Sequence, residues 1–457
     1  MVTRLELDGF KTFRGFAVDL SPFQVIVGPN GAGKSNLFDA LMLLSRLAGK
    51  DDLHAAFQAL RGDAGELFSQ LPEGGRAEEM YLAAEMLVDR RVRDSWGAES
   101  ALKFTRLRYE LRIERRRDAR GLDRLRVKHE SLRAMRVIHD SWLRSHAGPH
   151  PQPWRPPIKN GRSTPFISTD RSHEAIYLHQ DGHQGRNVSV ADRAERTVLS
   201  SVANTEFPHA FAAREEMRNW RVLQLNPAQL REPSPMVASS HVQADGANLA
   251  TALARIALTS PEAFRGVTDD LARLIPAIAE VRVDENRALE RYIVIARTLN
   301  GLELTSRVMS DGTLRMLALA ALRNDLEHRG LLCFEEPENG VHPARLRRLL
   351  EVLRGLGTRF VRGEGDERPL RQILVNTHSP SLIRLLETPS EGGDEAPTEL
   401  LYAHLTSLEG EPEGTGPQCT RMAPVHAGEQ LHWDLNGPSP GAPLGLGQVV
   451  RALEVGD

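Results

Sequence analysis

Apolar runs and stretches of helical periodicity alternate along much of the chain. Residues 5–10 and 22–27 predict strands, and Leu37, Ala40, Leu41 and Leu44 recur at the spacing of one helix face. Residues 331–334 and 372–376 predict two further buried strands, while helices are predicted from residue 314 towards 322 and from Pro343 onward. Strands and helices in this order predict an α/β fold.

Residues 107–113 alternate between apolar and charged positions, and residues 125–128 repeat the alternation after a polar turn, which predicts an antiparallel hairpin. From Lys103 to Arg144 there are 14 basic and 6 acidic residues, a local net charge of +8. This stretch fits two interpretations: a surface that follows the phosphate backbone of DNA or RNA, or the solvated face of a hairpin.

Composition narrows the class of protein without choosing a function. The 457 residues are 40% hydrophobic and carry a formal net charge of −3, so the molecule as a whole has no attraction for nucleic acid or an anionic membrane. Cys333 and Cys419 are the only cysteines, which excludes a disulfide scaffold. Without an apolar signal core or a membrane-length apolar run, we expect a soluble, cytoplasmic protein with no membrane partner.

A glycine-rich loop lies between the strand at 22–27 and the following helix. Its order, Gly28-x-x-x-x-Gly33-Lys34-Ser35, is that of a P-loop, in which backbone N–H groups and a helix N-terminus surround phosphate oxygens. Lys34 is expected to reach the β and γ phosphates, and Ser35 to bind Mg²⁺. The predicted nucleotide-binding residues of this loop are Gly28, Pro29, Asn30, Gly31, Ala32, Gly33, Lys34, Ser35 and Asn36.

Three later segments suit the rest of an ATP site. Glu335 and Glu336 end the strand at 331–334, where we expect Glu335 to hold the metal and Glu336 to polarise the attacking water. His378 follows the next strand and is predicted to sense the γ-phosphate. Ser310 and Gly312 precede a helix, where they suit either an anion or a helix N-cap.

Together these motifs resemble the ABC-class ATPase heads of the SMC, RecF and OLD-like group. The matching segments are Phe10-Lys11-Thr12-Phe13, GPNGAGKSN, MSDGT, LLCFEEPENGVHP and VNTHSP, in the order of that group. The resemblance implies a P-loop NTPase of ABC/SMC-head type with a mixed central sheet, an antiparallel β subdomain and a helical or loop insertion. Glu335 stands where Asp is commoner in the group, and the sequence alone assigns no Q-loop glutamine.

The resemblance also implies partners. Such heads dimerise around two ATP molecules, so Ser310 and Gly312 would face the γ-phosphate of a second copy, in a homodimer or higher homo-oligomer. The sequence carries neither a heptad pattern long enough for an SMC coiled coil nor, after His378, the Asp-x-Asp pattern of a Toprim nuclease. We therefore expect an ATPase acting as a switch in DNA maintenance or anti-phage defence, with a separate effector such as a nuclease. Two alternatives are the ATPase subunit of a membrane transporter and an ATP-dependent scaffold with little turnover.

Five divisions of the chain are predicted. They are an N-terminal part of the head with the P-loop and basic hairpin (1–145), a loop-rich insertion (146–219), a helical lid with connecting strands (220–308), a C-terminal part of the head (309–385) and a tail with short strands (386–457).

Overall fold

The strands and helices are those of a computed structural model. It describes residues 1–118, 121–136, 138, 140–147, 162, 164–170, 172, 175–180, 186–190, 194–237, 241–360, 369–386, 400–407, 416–426, 444–445, 449–450 and 453. Parts of the predicted insertion and of the predicted tail lie outside these residues. Among the described residues, no helix is both long enough and apolar enough to cross a bilayer.

The described residues form strands and helices with the following bounds. The strands are β1 (Val2–Asp8), β2 (Phe16–Asp19), β3 (Phe23–Val27), β4 (Glu79–Leu87), β5 (Arg91–Arg93), β6 (Glu99–Ala101), β7 (Arg106–Arg117), β8 (Asp123–Ala134), β9 (Ile167–Asp170), β10 (Ala175–His179), β11 (Arg186–Val190), β12 (Arg221–Leu223), β13 (Ser234–Pro235), β14 (Ile278–Asn286), β15 (Arg291–Thr298), β16 (Glu303–Thr305), β17 (Gly330–Glu335), β18 (Arg371–Thr377), β19 (Leu400–Ser407), β20 (Gln418–His426) and β21 (Leu444–Gly445). The α-helices are α1 (Lys34–Ala48), α2 (Leu53–Gln58), α3 (Ser141–Ala147), α4 (Val198–Ser201), α5 (Pro208–Arg218), α6 (Pro227–Arg231), α7 (Leu249–Thr259), α8 (Pro261–Leu274), α9 (Asp311–Asn324), α10 (Leu346–Arg354) and α11 (Pro380–Leu386).

A seven-stranded sheet positions the predicted nucleotide site. Its order is β12-β17-β18-β3-β19-β20-β21, and the first five strands run parallel. All five residues of β3 are buried, as expected for a strand covered on both faces. The parallel pairing brings the carboxyl ends of β3, β17 and β18 to one edge, so the P-loop, Glu335 and His378 meet there.

The predicted tail supplies part of this central sheet. Strand β19 lies parallel to β3, with Leu400 opposite Val25 and Tyr402 opposite Val27, and β20 returns antiparallel to β19. The P-loop strand is therefore an interior strand, flanked by β18 on one side and by the tail on the other.

The predicted antiparallel hairpin is confirmed as β7 and β8. These strands belong to an eight-stranded sheet of order β11-β10-β9-β8-β7-β4-β1-β2. Leu107, Tyr109, Leu111 and Ile113 point to its buried face, as their alternation predicts. This sheet is the antiparallel β subdomain expected from the sequence.

Much of the basic charge of the hairpin is matched by carboxylates from neighbouring strands. Arg108 bonds to Glu6 on β1 at 2.6 Å and to Glu85 on β4 at 3.0 Å, and Lys128 pairs with Glu79 on β4. The hydrogen bond from Arg108 is the main cause that lowers the pKa of Glu6 to about 2. These acids lie outside the basic stretch, so the local charge of +8 overstates what the surface offers to a phosphate backbone.

A smaller antiparallel sheet and two helices form the region predicted as a lid. Strand β15 pairs with β13, β14 and β16, and helices α7 and α8 pack on this sheet. Helix α8 also packs along α9, the helix that follows Ser310. This region is thus attached to the element that carries the predicted signature residues.

A buried carboxyl joins the hairpin to the end of the insertion. Glu130 on β8 accepts hydrogen bonds from the Tyr109 hydroxyl at 3.1 Å and from the backbone N–H groups of Val198 at 2.6 Å and Leu199 at 2.8 Å. Burial raises the pKa of Glu130 to about 7, although these three donors act in the opposite direction.

This carboxyl makes stability depend on pH. The folded chain keeps the Glu130 proton up to about pH 7, whereas the unfolded chain releases it near the ordinary value, so the stabilising contribution is lost as pH rises through 7. Chemical unfolding of wild type and Glu130→Gln between pH 5 and 8 is expected to show wild type losing on the order of 2 kcal/mol relative to the variant. Glu73→Gln, at an exposed site, is the control. Parallel curves for wild type and Glu130→Gln would contradict the assignment.

Candidate nucleotide site

The glycine loop has a backbone that side chains would obstruct. Gly28 and Gly33 have φ of 154° and 88°, a region that favours glycine. A Cβ at Gly28 would overlap the carbonyl oxygen of Ala403 on β19, and one at Gly33 would overlap the Thr420 hydroxyl on β20. Both tail strands therefore pack directly against the loop, and glycine at these positions allows that approach.

Lys34 lies at the start of α1 and folds back over the loop. Its ammonium donates to the carbonyl oxygens of Gly28 at 2.7 Å and Pro29 at 2.9 Å. Burial is the main influence on this group and lowers its pKa, while the negative charges of Glu336 and Glu335 act in the opposite direction. The cation thus lies between the loop and the two carboxylates, where a phosphate would meet it.

Ser35 and Asn36 follow Lys34 and differ in their hydrogen bonding. The Asn36 amide donates to the Thr12 hydroxyl at 2.9 Å, which ties the Phe10–Phe13 turn to the P-loop helix. The Ser35 hydroxyl makes no hydrogen bond within the described part of the chain and is half-buried. It is therefore free to bind a ligand.

Glu335 ends β17 and has a cation and an amide as neighbours. The Arg61 guanidinium lies 3.3 Å from each carboxylate oxygen, and the Asn376 amide donates to one of them at 3.4 Å. Arg61 follows α2 and is 59% exposed, so this pair is open to solvent and easily exchanged for another cation. Sequence reasoning missed Arg61.

Glu336 occupies a strained position directly after the strand. Its φ is 46°, unusual for a residue with a side chain, and its backbone N–H donates to the Asn376 carbonyl at 3.0 Å. One carboxylate oxygen accepts from the Asn339 amide at 2.6 Å, and the other lies 2.8 Å from His378 Nδ1 in poor hydrogen-bond alignment. The structure thus brings together Glu336 and His378, two residues that the sequence singled out.

A second carboxyl lies beneath this cluster. Glu338 accepts a hydrogen bond from the Thr377 hydroxyl, and its other oxygen is buried without a hydrogen-bond partner in the described residues. Burial raises the pKa of Glu338. Because Thr377 precedes His378, the Glu338 contact ties the loop after β17 to the end of β18.

A cavity of about 610 Å³ lies beside these groups, and His378 and Glu338 are not part of its lining. Of the predicted nucleotide-binding residues of the P-loop, all but Gly28, Pro29 and Ala32 line it. The other lining residues are Phe334, Glu335, Glu336, Asn339, Asn376, Arg315 and residues 223–226. Gln224 directly follows β12, the strand beside β17, and lines the same cavity. Sequence reasoning missed Gln224 because β12 is only three residues long; the available signal was a polar residue after the apolar pair Val222-Leu223.

Ser310 and Gly312 do not line this cavity. Ser310 is the N-cap of α9, with its hydroxyl accepting from the Thr313 N–H at 3.2 Å, so the N-cap interpretation holds within one chain. A Cβ at Gly312 would lie 3.1 Å from the Gly340 carbonyl oxygen, and Arg315 donates to the Asn339 carbonyl at 2.7 Å. The signature residues therefore adjoin the loop after β17, and their contact with a nucleotide stays a prediction.

This fold and site define an α/β P-loop NTPase of the ABC/SMC-head type. The sequence matches the family described as "AAA domain, putative AbiEii toxin, Type IV TA system" over residues 151–384, and an AAA domain over residues 4–49. The chain belongs to the first of these families. Membership supports ATPase activity and implies nucleotide binding, typically with Mg²⁺.

Three known proteins illustrate the similarity. Structural maintenance of chromosomes protein 1 of Schizosaccharomyces pombe is 54% identical over 41 residues, which are 8% of this chain and 3% of that protein. An SMC head bound to the C-winged helix domain of ScpA is 15% identical with a TM-score of 0.47, covering 93% of this chain and 98% of its own. The SMC head domain from Thermotoga maritima is 13% identical with a TM-score of 0.39, covering 93% and 99%.

Proposed function

We propose that this protein hydrolyses ATP at the cavity beside the P-loop and dimerises around two ATP molecules. The arrangement that supports this is the convergence of Lys34, Ser35, Glu335 and Glu336 on one cavity, with the signature residues outside it. Ser310 and Gly312 lie at a surface next to the cavity rim, so a second copy is needed to bring a signature loop over the phosphates.

Each residue has a defined role in the proposed reaction. Lys34 binds the β and γ phosphates, which replace the Gly28 and Pro29 carbonyl oxygens around its ammonium. Glu336 orients the attacking water and accepts its proton, while Asn339 holds the carboxylate in place. His378, which touches the same carboxylate, is positioned to sense the γ-phosphate.

The residues at the metal position fit Mg²⁺. A free hydroxyl at Ser35 and a carboxylate at Glu335 are the oxygen ligands that Mg²⁺ prefers, with Gln224 on the same cavity. When bound, Mg²⁺ neutralises charge on the phosphates. Arg61 now compensates the charge of Glu335, and its exposed position lets it leave when a metal ion takes over that task.

We place this switch in DNA maintenance or anti-phage defence, acting with a separate effector such as a nuclease. Family membership, with its description as a putative toxin of a type IV toxin–antitoxin system, supports the defence setting. Comparing the ATPase rate of the purified protein with and without DNA tests the coupling, and a rate indifferent to DNA would favour another trigger.

Mixing two inactive variants tests the composite site. Lys34→Ala removes the P-loop cation, and Ser310→Arg blocks the signature loop, so neither variant alone forms a complete site. In a mixture, half the dimers carry one intact site, and we expect phosphate release at about a quarter of the wild-type rate. If the mixture stays inactive and ATP leaves the wild-type protein monomeric by light scattering, the sandwich is wrong.

A further inference from the structure

A small β-ribbon presents the most exposed tryptophan described in this chain. Strands β5 and β6 pair through Arg91–Ala101 and Arg93–Glu99, and the turn between them carries Trp96, whose side chain is 88% exposed. A tryptophan with this exposure offers a large aromatic face on which a ligand can stack. The ribbon lies outside the nucleotide site and takes no part in it.

The turn holds Trp96 in a fixed place. The buried Asp94 carboxylate accepts from the backbone N–H groups of Trp96 and Ala98, both at 3.0 Å. Its second oxygen accepts from the Thr205 hydroxyl at 3.1 Å, which anchors the turn just before α5. Because the backbone on both sides of Trp96 is fixed, little conformational entropy is lost when a ligand stacks on the indole.

The chain on either side of the Trp96 turn carries cations that have few carboxylate partners, unlike the cations of the larger hairpin. Arg90, Arg91 and Lys103 are exposed, and none has a carboxylate within 4 Å among the described residues. Arg93 has only the exposed Glu99, at 3.8 Å, which contributes little attraction. On β7 and β8 much of the positive charge is paired with carboxylates. On the β5–β6 ribbon the positive charge is therefore more available to an anionic ligand.

The ribbon geometry orders these groups on one face. Val92, between the two arginines, turns inward and packs against the core, so Arg91 and Arg93 project together on the outer face. Two residues along a strand span about 7 Å, comparable to the step between successive phosphates of an extended strand. An exposed indole beside such a cation pair is the combination found in single-strand binding surfaces.

We propose that the β5–β6 ribbon binds single-stranded nucleic acid, with a base stacked on Trp96 and neighbouring phosphates on Arg91 and Arg93. A duplex keeps its base faces stacked inside and offers the indole nothing to stack on. This inference rests on the proposed function, which includes an action on DNA. It places nucleic-acid binding on the β5–β6 ribbon and not on the ion-paired β7–β8 hairpin.

Fluorescence anisotropy of a labelled 20-nucleotide oligo-dT, without ATP and at about 50 mM salt, tests the proposal. Trp96→Ala is expected to weaken binding about 10-fold and Trp96→Phe much less. The double variant Arg91→Ala with Arg93→Ala is expected to weaken binding and to reduce the salt-dependence slope by about 1.4. The matched control, Arg116→Ala with Arg117→Ala, removes two hairpin arginines that pair with Glu114 and Asp123 and should change binding little.

The outcomes separate this site from the ATPase. Wild type that ignores oligo-dT, or Trp96→Ala that binds it normally, overturns the proposal. So does a polyglutamate peptide that binds with the same dependence on Trp96, because the ribbon would then recognise an acidic protein. ATP turnover measured without nucleic acid is expected to be the same in Trp96→Ala and in wild type. If the wild-type protein shows no ATP turnover, the proposed function is wrong, whereas the result of the oligo-dT binding experiment still stands.

Discussion

Glu336→Gln is expected to reduce ATP turnover by at least about 100-fold while leaving ATP binding within a few-fold of wild type. The glutamine keeps the size of the side chain and an oxygen that can accept from Asn339, but it cannot take a proton from the attacking water. Hydrolysis should stop after ATP has bound. Phosphate release at saturating ATP measures the first effect, and equilibrium binding of ATP measures the second.

The same variant should accumulate as an ATP-bound dimer, because hydrolysis no longer opens the sandwich. Light scattering with and without ATP would detect this dimer. Glu351→Gln, which changes an exposed glutamate on α10, is the control and should behave as wild type. Turnover of Glu336→Gln within tenfold of wild type would mean that another group activates the water.

Local motifs made the phosphate end of the site predictable. The P-loop, Glu335, Glu336 and His378 each follow an apolar strand in the sequence, and a strand end is where an α/β sheet binds ligands. The hairpin β7–β8 was predictable for a similar reason, since its alternation is a local property. In each of these predictions the sequence pattern that gives the signal is local to the element that it predicts.

Other parts depended on pairing between distant segments. Strand β12 is three residues long and becomes a strand because β17, over 100 residues later, pairs with it, so Gln224 gave little local signal. Arg61 reaches Glu335 across 274 residues. The sequence of the tail indicated only short strands. In the structure β19 and β20 extend the sheet beside β3 and pack against the P-loop glycines.

Charge counting along the sequence overstates the unpaired positive charge of the basic hairpin for the same physical reason. A count from Lys103 to Arg144 includes the arginines of β7 and β8 but omits Glu6, Glu85 and Glu79, which adjacent strands place beside them. Conversely, on the shorter β5–β6 ribbon Arg91 has no carboxylate within 4 Å among the described residues, and Arg93 has only the exposed Glu99. The electrostatic potential at a surface depends on which charges lie close together in space, and the sequence alone does not show which these are.

Lys34 lies in a different electrostatic environment from the surface lysines in the described part of the chain. Its buried ammonium faces the Gly28 and Pro29 carbonyl oxygens on one side and the field of Glu335 and Glu336 on the other. A bound triphosphate would bring further negative charge to the same place. Without the cation, those two carboxylates would repel the phosphates across a partly desolvated cavity, so the lysine acts as counter-ion to protein and ligand together.

Lys34→Ala is therefore expected to weaken ATP binding by about 100-fold or more, since charge-assisted hydrogen bonds to phosphate are lost and repulsion is uncovered. ADP binding should weaken less, because the γ-phosphate contact is absent from it. Titration calorimetry with both nucleotides gives the two ratios, and thermal unfolding shows whether the variant is folded. Lys50→Ala removes an exposed lysine just after the same helix and should leave both affinities unchanged. Equal losses for ATP and ADP would place the ammonium away from the γ-phosphate and overturn its assigned role.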